Sequence, residues 1–217
     1  MEDYTTYIEE MIETIKSYGL SDDKIFKAMR EVPRHLFVKD HSLRDTYGDY
    51  PLVILHGQTI SQPYTVAFML HLLSLKEGQR VLEIGTGSGW NAALIKKIIG
   101  DNGIVVSIEL LRDLHEYAKK RINELSIPVI LVHGDGSQGY KKYAPYDRII
   151  ITAACPEIPS VIVDQLKDGG VVVAPVGKFT QVIVVGEKNK KTLSTKSFGV
   201  FRFVPLKGKH GFNDDFF

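Results

Sequence analysis

Hydrophobic residues in the first third of the chain recur at helical spacing. The first stripe is formed by Ile8, Met11, Ile12 and Ile15, which fall on one face of a helix. Ser21 is predicted to start a second helix, because a serine hydroxyl can cap the first turn, and Pro33 should end it. A third helical pattern covers 64–75. The intervening segment 34–63 has no regular period, and a loop this long in a compact domain is often functional.

From residue 79 onward, short β-rich runs alternate with helical patterns. The predicted strands are 80–84, 103–108, 128–133, 148–152, 171–174, 181–185 and 193–204. The predicted helices between them are 90–99, 111–125 and 158–166. This order predicts an α/β fold with a doubly wound, mostly parallel sheet. The last two strands are joined by a short polar turn, which predicts a C-terminal antiparallel hairpin.

The composition is that of an ordinary globular protein. Of the 217 residues, 44% are hydrophobic and 24% are charged, which is enough apolar material for a sizeable core. The length is compatible with a single domain covering 1–217. We divide it into an N-terminal helical and loop segment (1–78), a central core (79–177) and a C-terminal β-rich segment (178–217).

Charge and cysteine content exclude several function classes. The formal net charge is +1, so no overall field attracts nucleic acid or an anionic membrane. Residues 1–4 are polar and acidic, unlike the start of a signal peptide, and no apolar run approaches the ~18 residues of a membrane span. Cys155 is the single cysteine, which excludes an intrachain disulfide. These features predict a cytoplasmic protein and leave its oligomeric state open.

A glycine loop is the central chemical signal. Gly85, Thr86, Gly87, Ser88 and Gly89 lie between a predicted strand and a predicted helix, where α/β sheets bind nucleotide-like ligands. The spacing is Gly-x-Gly-x-Gly, whereas a dinucleotide loop reads Gly-x-Gly-x-x-Gly. An acid, Glu83, precedes the loop. A diphosphate prefers a helix start without negative charge, whereas a cationic ligand favours a nearby acid.

Two further motifs follow the next two strands. Glu109, with Leu110 after it, ends the second strand of the core and is placed to accept hydrogen bonds from ribose hydroxyls. Gly134-Asp135-Gly136 ends the third. With the glycine loop, this set resembles the S-adenosylmethionine site of class I methyltransferases. That resemblance implies that Asp135 reaches the adenine amino group, although a simple Asp-Gly turn would give the same sequence.

A more specific resemblance lies in the long loop. Its segment Gly57-Gln58-Thr59-Ile60-Ser61-Gln62-Pro63 is similar to the signature of protein-L-isoaspartate O-methyltransferases. The other segments that match this family are 32–37, 152–154, 166–170, 175–177 and 202–206. The resemblance covers nearly the whole chain, from about residue 4 to residue 212. Only 53–56 departs from it, because a segment richer in proline and glycine is expected there, which leaves the shape of the substrate entrance open.

The family resemblance implies a fold and a reaction. The fold is the Rossmann-like one of class I methyltransferases. The reaction is methyl transfer from S-adenosylmethionine, without a metal, to the free carboxylate of isoaspartyl residues in damaged proteins and peptides, with S-adenosyl-L-homocysteine as product. Ser61 would be the catalytic residue that orients this carboxylate. The substrate would be bound by Thr59, Ile60, Ser61, Val204, Pro205 and Leu206.

Other interpretations remain to be weighed against this one. Ser61 could instead cap the helix that begins near Pro63. Cys155 could be the nucleophile of a base methyltransferase, although a lone cysteine is more often a small buried residue. An NAD-dependent oxidoreductase is disfavoured because no tyrosine has a lysine four residues later, and a metal hydrolase because no His-x-x-x-His pair occurs. A binding module without activity would not need the Gln-Thr-Ile-Ser segment.

Overall fold

Seven α-helices occur among residues 4–212, the part of the chain that the computed structural model describes. They are α1 (Tyr4–Ser17), α2 (Asp23–Glu31), α3 (Leu43–Tyr47), α4 (Pro63–Leu73), α5 (Trp90–Ile99), α6 (Arg112–Glu124) and α7 (Ser160–Asp164). The described residues include nine strands. They are β1 (Leu52–Val53), β2 (Thr59–Ile60), β3 (Arg80–Ile84), β4 (Ile104–Glu109), β5 (Ile130–His133), β6 (Tyr146–Ile151), β7 (Leu166–Val176), β8 (Gln181–Asn189) and β9 (Thr192–Phe201).

Seven of the strands form one twisted sheet in the order β5-β4-β3-β6-β7-β8-β9. The pairs from β5 to β7 are all parallel, whereas β8 pairs antiparallel with both β7 and β9. This confirms the predicted doubly wound sheet and its C-terminal hairpin. In the parallel part, Ile84 is level with Ile108 on one side and with Ile151 on the other. The carboxyl ends of three strands therefore lie side by side.

The central strands are buried on both faces, as expected for parallel strands between two layers of helices. Along β6, Ile150 packs into one apolar cluster, and Ile149 and Ile151 pack into the other. The first cluster also takes up the apolar stripes of α1, α2 and α4. The N-terminal helices therefore share a core with the sheet.

The start of α2 differs from its prediction. The N-cap is Asp22, whose carboxylate accepts the backbone N–H of Ile25 at 3.4 Å, and Ser21 lies before it. Both residue types cap helices well, so the sequence alone does not distinguish them. The apolar stripe of α1 and the end of α2 before Pro33 follow the prediction.

Two regions contain regular structure that the sequence pattern did not predict. The segment 34–63 includes α3 and the antiparallel hairpin of β1 and β2, whose two-residue strands are too short to carry a period. The strand β7 begins at Leu166 instead of residue 171, with a register shift that pairs Tyr146 with Leu166 and Arg148 with Val171. The sequence Asp168-Gly169-Gly170 predicts a turn, but the strand absorbs it as a bulge.

No helix among residues 4–212 has the length and apolarity needed to cross a bilayer.

Candidate active site

A cavity opens at the carboxyl ends of β3, β4 and β6. The chain passes from β3 to β4 on one side and later returns to β6 on the other, and such switch points are where α/β sheets bind ligands. We call it the inner cavity, and its main wall segments are 58–61, 85–88, 109–111, 152–153 and 203–207. It therefore brings together most of the motifs predicted from the sequence.

The glycine loop turns sharply at the end of β3. Gly85, Gly87 and Gly89 all have positive φ angles, of 96°, 55° and 93°, a region that side chains with a Cβ disfavour. A Cβ at Gly85 would also collide with the hydroxyl of Thr152. That hydroxyl donates to the Gly85 carbonyl at 2.6 Å. Gly89 does not line the cavity; it is the N-cap of α5, and a Cβ there would contact Ala118 of α6.

Glu109 holds the glycine loop in place. Its two carboxylate oxygens accept the backbone N–H groups of Gly87 at 2.9 Å and Leu111 at 3.0 Å. The side chain is 6% exposed and lines the inner cavity with Leu110. A carboxylate has about four acceptor sites, so two remain for hydroxyl groups of a ligand.

Glu83 lies beneath the cavity and does not line it. It is fully buried, accepts from the Asn91 amide at 2.7 Å, and also accepts from the Ser107 hydroxyl, which Thr86 contacts at 2.6 Å. Burial raises the pKa of Glu83 to about 7, although the hydrogen bonds from Ser107 and Asn91 lower it. Glu83 would therefore act on a ligand indirectly, through Asn91 and Ser107, and not by direct contact.

The Gly134-Asp135-Gly136 motif contributes mainly through Gly136, which lines the cavity, whereas Gly134 and Asp135 do not. The Asp135 carboxylate accepts from the backbone and hydroxyl of Ser137, from Gln138 and from the Lys209 backbone, at 2.6–3.1 Å. Burial opposes ionisation, but these hydrogen bonds hold the pKa of Asp135 below its ordinary value. Asp135 thus ties down the C-terminal segment, and its contact with adenine stays a prediction.

Ser61 lies between β2 and α4 with its hydroxyl unused. Among residues 4–212, this hydroxyl has no hydrogen-bond partner. The N-cap of α4 is Gln62, so the alternative in which Ser61 caps this helix is wrong. The hydroxyl is therefore available to a ligand.

A second depression, which we call the outer groove, begins at the same place. Its wall is formed by Pro51, Thr59, Ser61, Gln62, Tyr64, Thr65, Thr152, Phe179 and 199–204. Thr59, Ser61 and Val204 line both the groove and the inner cavity, whereas Ile60, Pro205 and Leu206 line only the cavity. The two sites therefore meet at Ser61.

Several residues of the site were not predicted from the sequence, among them three polar or exposed ones. Asn91 lines the inner cavity, and its amide oxygen is buried without a partner among the described residues. Phe179, which is 91% exposed, and Arg202 line the outer groove. Asn91 lies two residues after the glycine loop, and a polar residue in the first turn of α5 was the available signal. Nothing in the local sequence marks Phe179.

The hairpin 52–60 covers the glycine loop. The Ile54 side chain lies over Gly87, 4.0 Å from the position that a Cβ would take there. At the tip, His56 Nε2 lies 2.8 Å from Asp113 Oδ2 at the start of α6. Both side chains are at least half exposed. This pair ties the hairpin to the other side of the inner cavity, in the segment where the chain departs from the expected family pattern.

Solved structures with the same fold support this description. A protein-L-isoaspartate O-methyltransferase matches 94% of this chain and 67% of its own, with a TM-score of 0.88 and 36% identity. A structure described as such an enzyme from Plasmodium falciparum, in complex with S-adenosyl-L-homocysteine, matches 95% and 99% with a TM-score of 0.82 and 25% identity. The predicted class I methyltransferase fold is confirmed.

Sequence relatives agree with the structures. Protein-L-isoaspartate O-methyltransferase 1 of Archaeoglobus fulgidus is 48% identical over 191 residues, or 88% of each chain. The Methanospirillum hungatei enzyme is 44% identical over 218 residues, covering 99% of this chain and 100% of the relative. The model of the family "Protein-L-isoaspartate(D-aspartate) O-methyltransferase" matches residues 6–211. The chain therefore belongs to the protein-L-isoaspartate(D-aspartate) O-methyltransferase family.

Proposed function

We propose that the protein repairs damaged proteins and peptides by transferring a methyl group from S-adenosylmethionine to the free carboxylate of isoaspartyl residues. The observation that carries this proposal is the position of Ser61. Its hydroxyl lies where the inner cavity and the outer groove meet, and it has no partner among residues 4–212. It can therefore serve a substrate that approaches the cofactor from the groove.

The inner cavity fits S-adenosylmethionine in shape and charge. Glu109 offers two acceptor sites for ribose hydroxyls, the glycine loop leaves room for close approach, and Gly136 offers its backbone. Glu83 lies beneath as a second carboxyl group and has no cationic partner among residues 4–212. The Glu109 carboxylate is favourable for a cationic ligand, whereas Glu83, with its pKa raised to about 7, carries only part of a negative charge near neutral pH. When bound, S-adenosylmethionine supplies an electrophilic methyl group and becomes S-adenosyl-L-homocysteine.

The acceptor needs orientation more than activation. A carboxylate has a reference pKa near 4 and is already ionised at neutral pH, so no general base is required. In this proposal the Ser61 hydroxyl donates a hydrogen bond to one oxygen of the substrate carboxylate and directs the other toward the methyl group. Thr59, Ile60 and Val204 shape the pocket around it. Alignment of the reacting atoms supplies most of the acceleration.

Cys155 does not support the competing base methyltransferase. Its thiol is buried and donates to the Pro175 carbonyl at 3.3 Å. Burial raises the pKa of Cys155 to about 12, so almost no thiolate exists at neutral pH, and the thiolate is the nucleophilic form. A covalent mechanism through this residue is therefore disfavoured.

The test is methyl transfer from labelled S-adenosylmethionine to two synthetic peptides that differ only in one isoaspartyl or normal aspartyl linkage. We expect label only in the isoaspartyl peptide, as a base-labile ester. Label in neither peptide, with S-adenosylmethionine still bound, would overturn the substrate assignment and leave the cofactor assignment intact. Equal labelling of both would overturn the selectivity for isoaspartyl residues.

The proposal includes a place in the cell and a set of partners. Damaged cytoplasmic proteins would be the substrates, with no role for nucleic acid or membrane binding. The near-neutral net charge of +1 and the single buried thiol, which suits a reducing compartment, support this part.

A further inference from the structure

The helix α4, which follows Ser61 closely, receives its cap from a distant residue. Its N-cap residue, Gln62, makes no side-chain capping bond, and Pro63 has no N–H to donate. The first N–H group that needs a partner is that of Tyr64. Asp49 Oδ1 accepts it at 2.8 Å. A carboxylate is favourable at this position because it faces the positive end of the helix dipole.

The second oxygen of Asp49 holds the preceding residue. Gln62 Nε2 donates to Asp49 Oδ2 at 2.7 Å, and Gln62 Oε1 faces the Thr65 hydroxyl at 3.3 Å. The Asp49 carboxylate therefore bonds to the chain on both sides of Pro63. Ser61 is bonded directly to Gln62, so the position of its backbone depends on these two hydrogen bonds.

A buried frame lies close to Asp49. Asp49 follows α3, in which the Thr46 carbonyl accepts from Arg34 Nε at 2.8 Å. The Arg34 guanidinium is fully buried and lies 4.7 Å from the ring of Trp90, the first residue of α5. Burial lowers the pKa of Arg34 to about 9, and the negative charge of Asp49 counteracts this. This frame therefore connects α5, which follows the glycine loop, with the segment that carries Asp49. Asp49 in turn caps α4.

We propose that Asp49 is a positioning residue, which caps α4 in place of Ser61 and so keeps the Ser61 hydroxyl free and directed toward the substrate carboxylate. This inference rests on the proposed function. Without Asp49, the first turn of α4 has an unsatisfied N–H group, and Ser61 becomes a nearby hydroxyl that can compete for it. Serine hydroxyls readily make such local bonds.

The hydrogen bond from Gln62 to Asp49 can be tested by exchanging which of the two residues carries the donor and which carries the acceptor. In Asp49→Asn the amide can still accept from Tyr64 but faces the Gln62 amide with a donor. In Gln62→Glu two carboxylates face each other. The double variant D49N/Q62E restores a donor opposite an acceptor, with the two residue types exchanged. The control is Asp45→Asn, because Asp45 accepts from Ser42 and Tyr50 and makes no bond to α4.

The measurements are kcat and KM for an isoaspartyl peptide, the Kd for S-adenosyl-L-homocysteine, and Tm. Assays are run well below the lowest Tm of the set. We expect each single variant to lower kcat by about tenfold, the scale of one lost charged hydrogen bond, and to change the Kd less than twofold. The double variant should recover most of kcat, and D45N should match the wild type.

Single variants with wild-type kcat would overturn the role of Asp49, as would a double variant that stays as slow as the single variants although folded. Loss of cofactor affinity in parallel with kcat would also overturn it, because Asp49 would then act on the fold of the whole site. If the wild type methylates the isoaspartyl peptide while these outcomes occur, the proposed function stands and only the Asp49 inference fails. A wild type without methyl transfer defeats the proposed function itself.

Discussion

The Ser61 hydroxyl lies where the inner cavity and the outer groove meet, and no described residue makes a hydrogen bond to it. We predict that Ser61→Ala lowers kcat for an isoaspartyl peptide by about 10- to 100-fold, the range expected for one lost hydrogen bond to a charged group. The Kd of S-adenosylmethionine should stay nearly unchanged, because the alanine removes no predicted cofactor contact. Steady-state kinetics and calorimetric titration measure the two quantities.

A suitable control for Ser61 is Ser17→Ala, since Ser17 is exposed on α1 and its hydroxyl donates only to the Thr14 carbonyl. This variant should match the wild type in both measurements. Equal loss of turnover and cofactor binding in Ser61→Ala would contradict the assigned role.

Glu83 makes stability depend on pH in the opposite direction to most carboxylates. Its pKa is raised from 4.5 to about 7 in the folded protein, so the folded state keeps a proton that the unfolded chain releases between these values. The free energy of unfolding therefore falls as the pH rises through this window, by about 3 kcal/mol in total. Glu83→Gln cannot titrate and should lack this contribution.

Urea denaturation of the wild type and of Glu83→Gln at pH 5 and pH 8 tests the prediction. The difference between the two proteins should shift in favour of the variant at the higher pH. Parallel pH profiles would show that Glu83 is ionised in the folded state across the range.

Individual site residues were predictable where a short sequence motif determines their position. Glu109 and Gly85 follow from a strand end and a glycine loop, and the geometry agrees with the positions expected for both. The other cases depend on partners distant in sequence. The Lys209 backbone N–H donates to the Asp135 carboxylate, and Asp49 caps α4 in place of Ser61. Neither partner can be recognised from the sequence around Asp135 or Ser61.

At the scale of elements, the hairpin 52–60 is held over the glycine loop by few contacts at its tip. We predict that His56→Ala accelerates release of S-adenosyl-L-homocysteine, by about 2- to 5-fold given the worth of an exposed polar pair. Asp113→Ala should give the same effect. The double variant should add nothing further, because either change alone breaks the same contact.

Stopped-flow measurement of product release from the wild type, the two single variants and the double variant checks this. Additive effects of the two substitutions would contradict a direct link between the hairpin and α6.

The elements themselves divide into predictable and unpredictable ones for a physical reason. α1 and α5 repeat an apolar period over ten or more residues, and both match their predictions. The hairpin strands have two residues each and carry no period. The early start of β7 depends on pairing with β6 across the bulge at Gly169, whose φ of 72° gives no signal beyond that of an ordinary turn.

At the scale of the whole molecule, the N-terminal helices and the sheet share one apolar cluster. Ile12 of α1 and Ile150 of β6 are both part of it and nearly fully buried. We predict that Ile12→Ala lowers the free energy of unfolding by about 2 to 5 kcal/mol and that unfolding remains a single transition. The division of the chain into three parts would then describe sequence segments, and not independent folding units.

Trp90 is the single tryptophan and is buried at 1% exposure, so its fluorescence reports on the centre of the molecule. Fluorescence and far-UV circular dichroism should give the same urea midpoint in wild type and variant. Val200→Ala, at a site 72% exposed, is the control and should change stability by less than about 0.5 kcal/mol. Separate midpoints would indicate that the N-terminal helices unfold on their own.

The wall that the inner cavity shares with the outer groove constrains how the methyl group travels. Because Thr59, Ser61 and Val204 border both spaces, we expect donor and acceptor to bind together and the methyl group to move without a covalent intermediate on a protein side chain. The only thiol of the chain is buried with a raised pKa, which disfavours such an intermediate there. One direct displacement inverts the carbon that moves. A methyl group made chiral with three hydrogen isotopes would therefore reach the peptide with its handedness reversed.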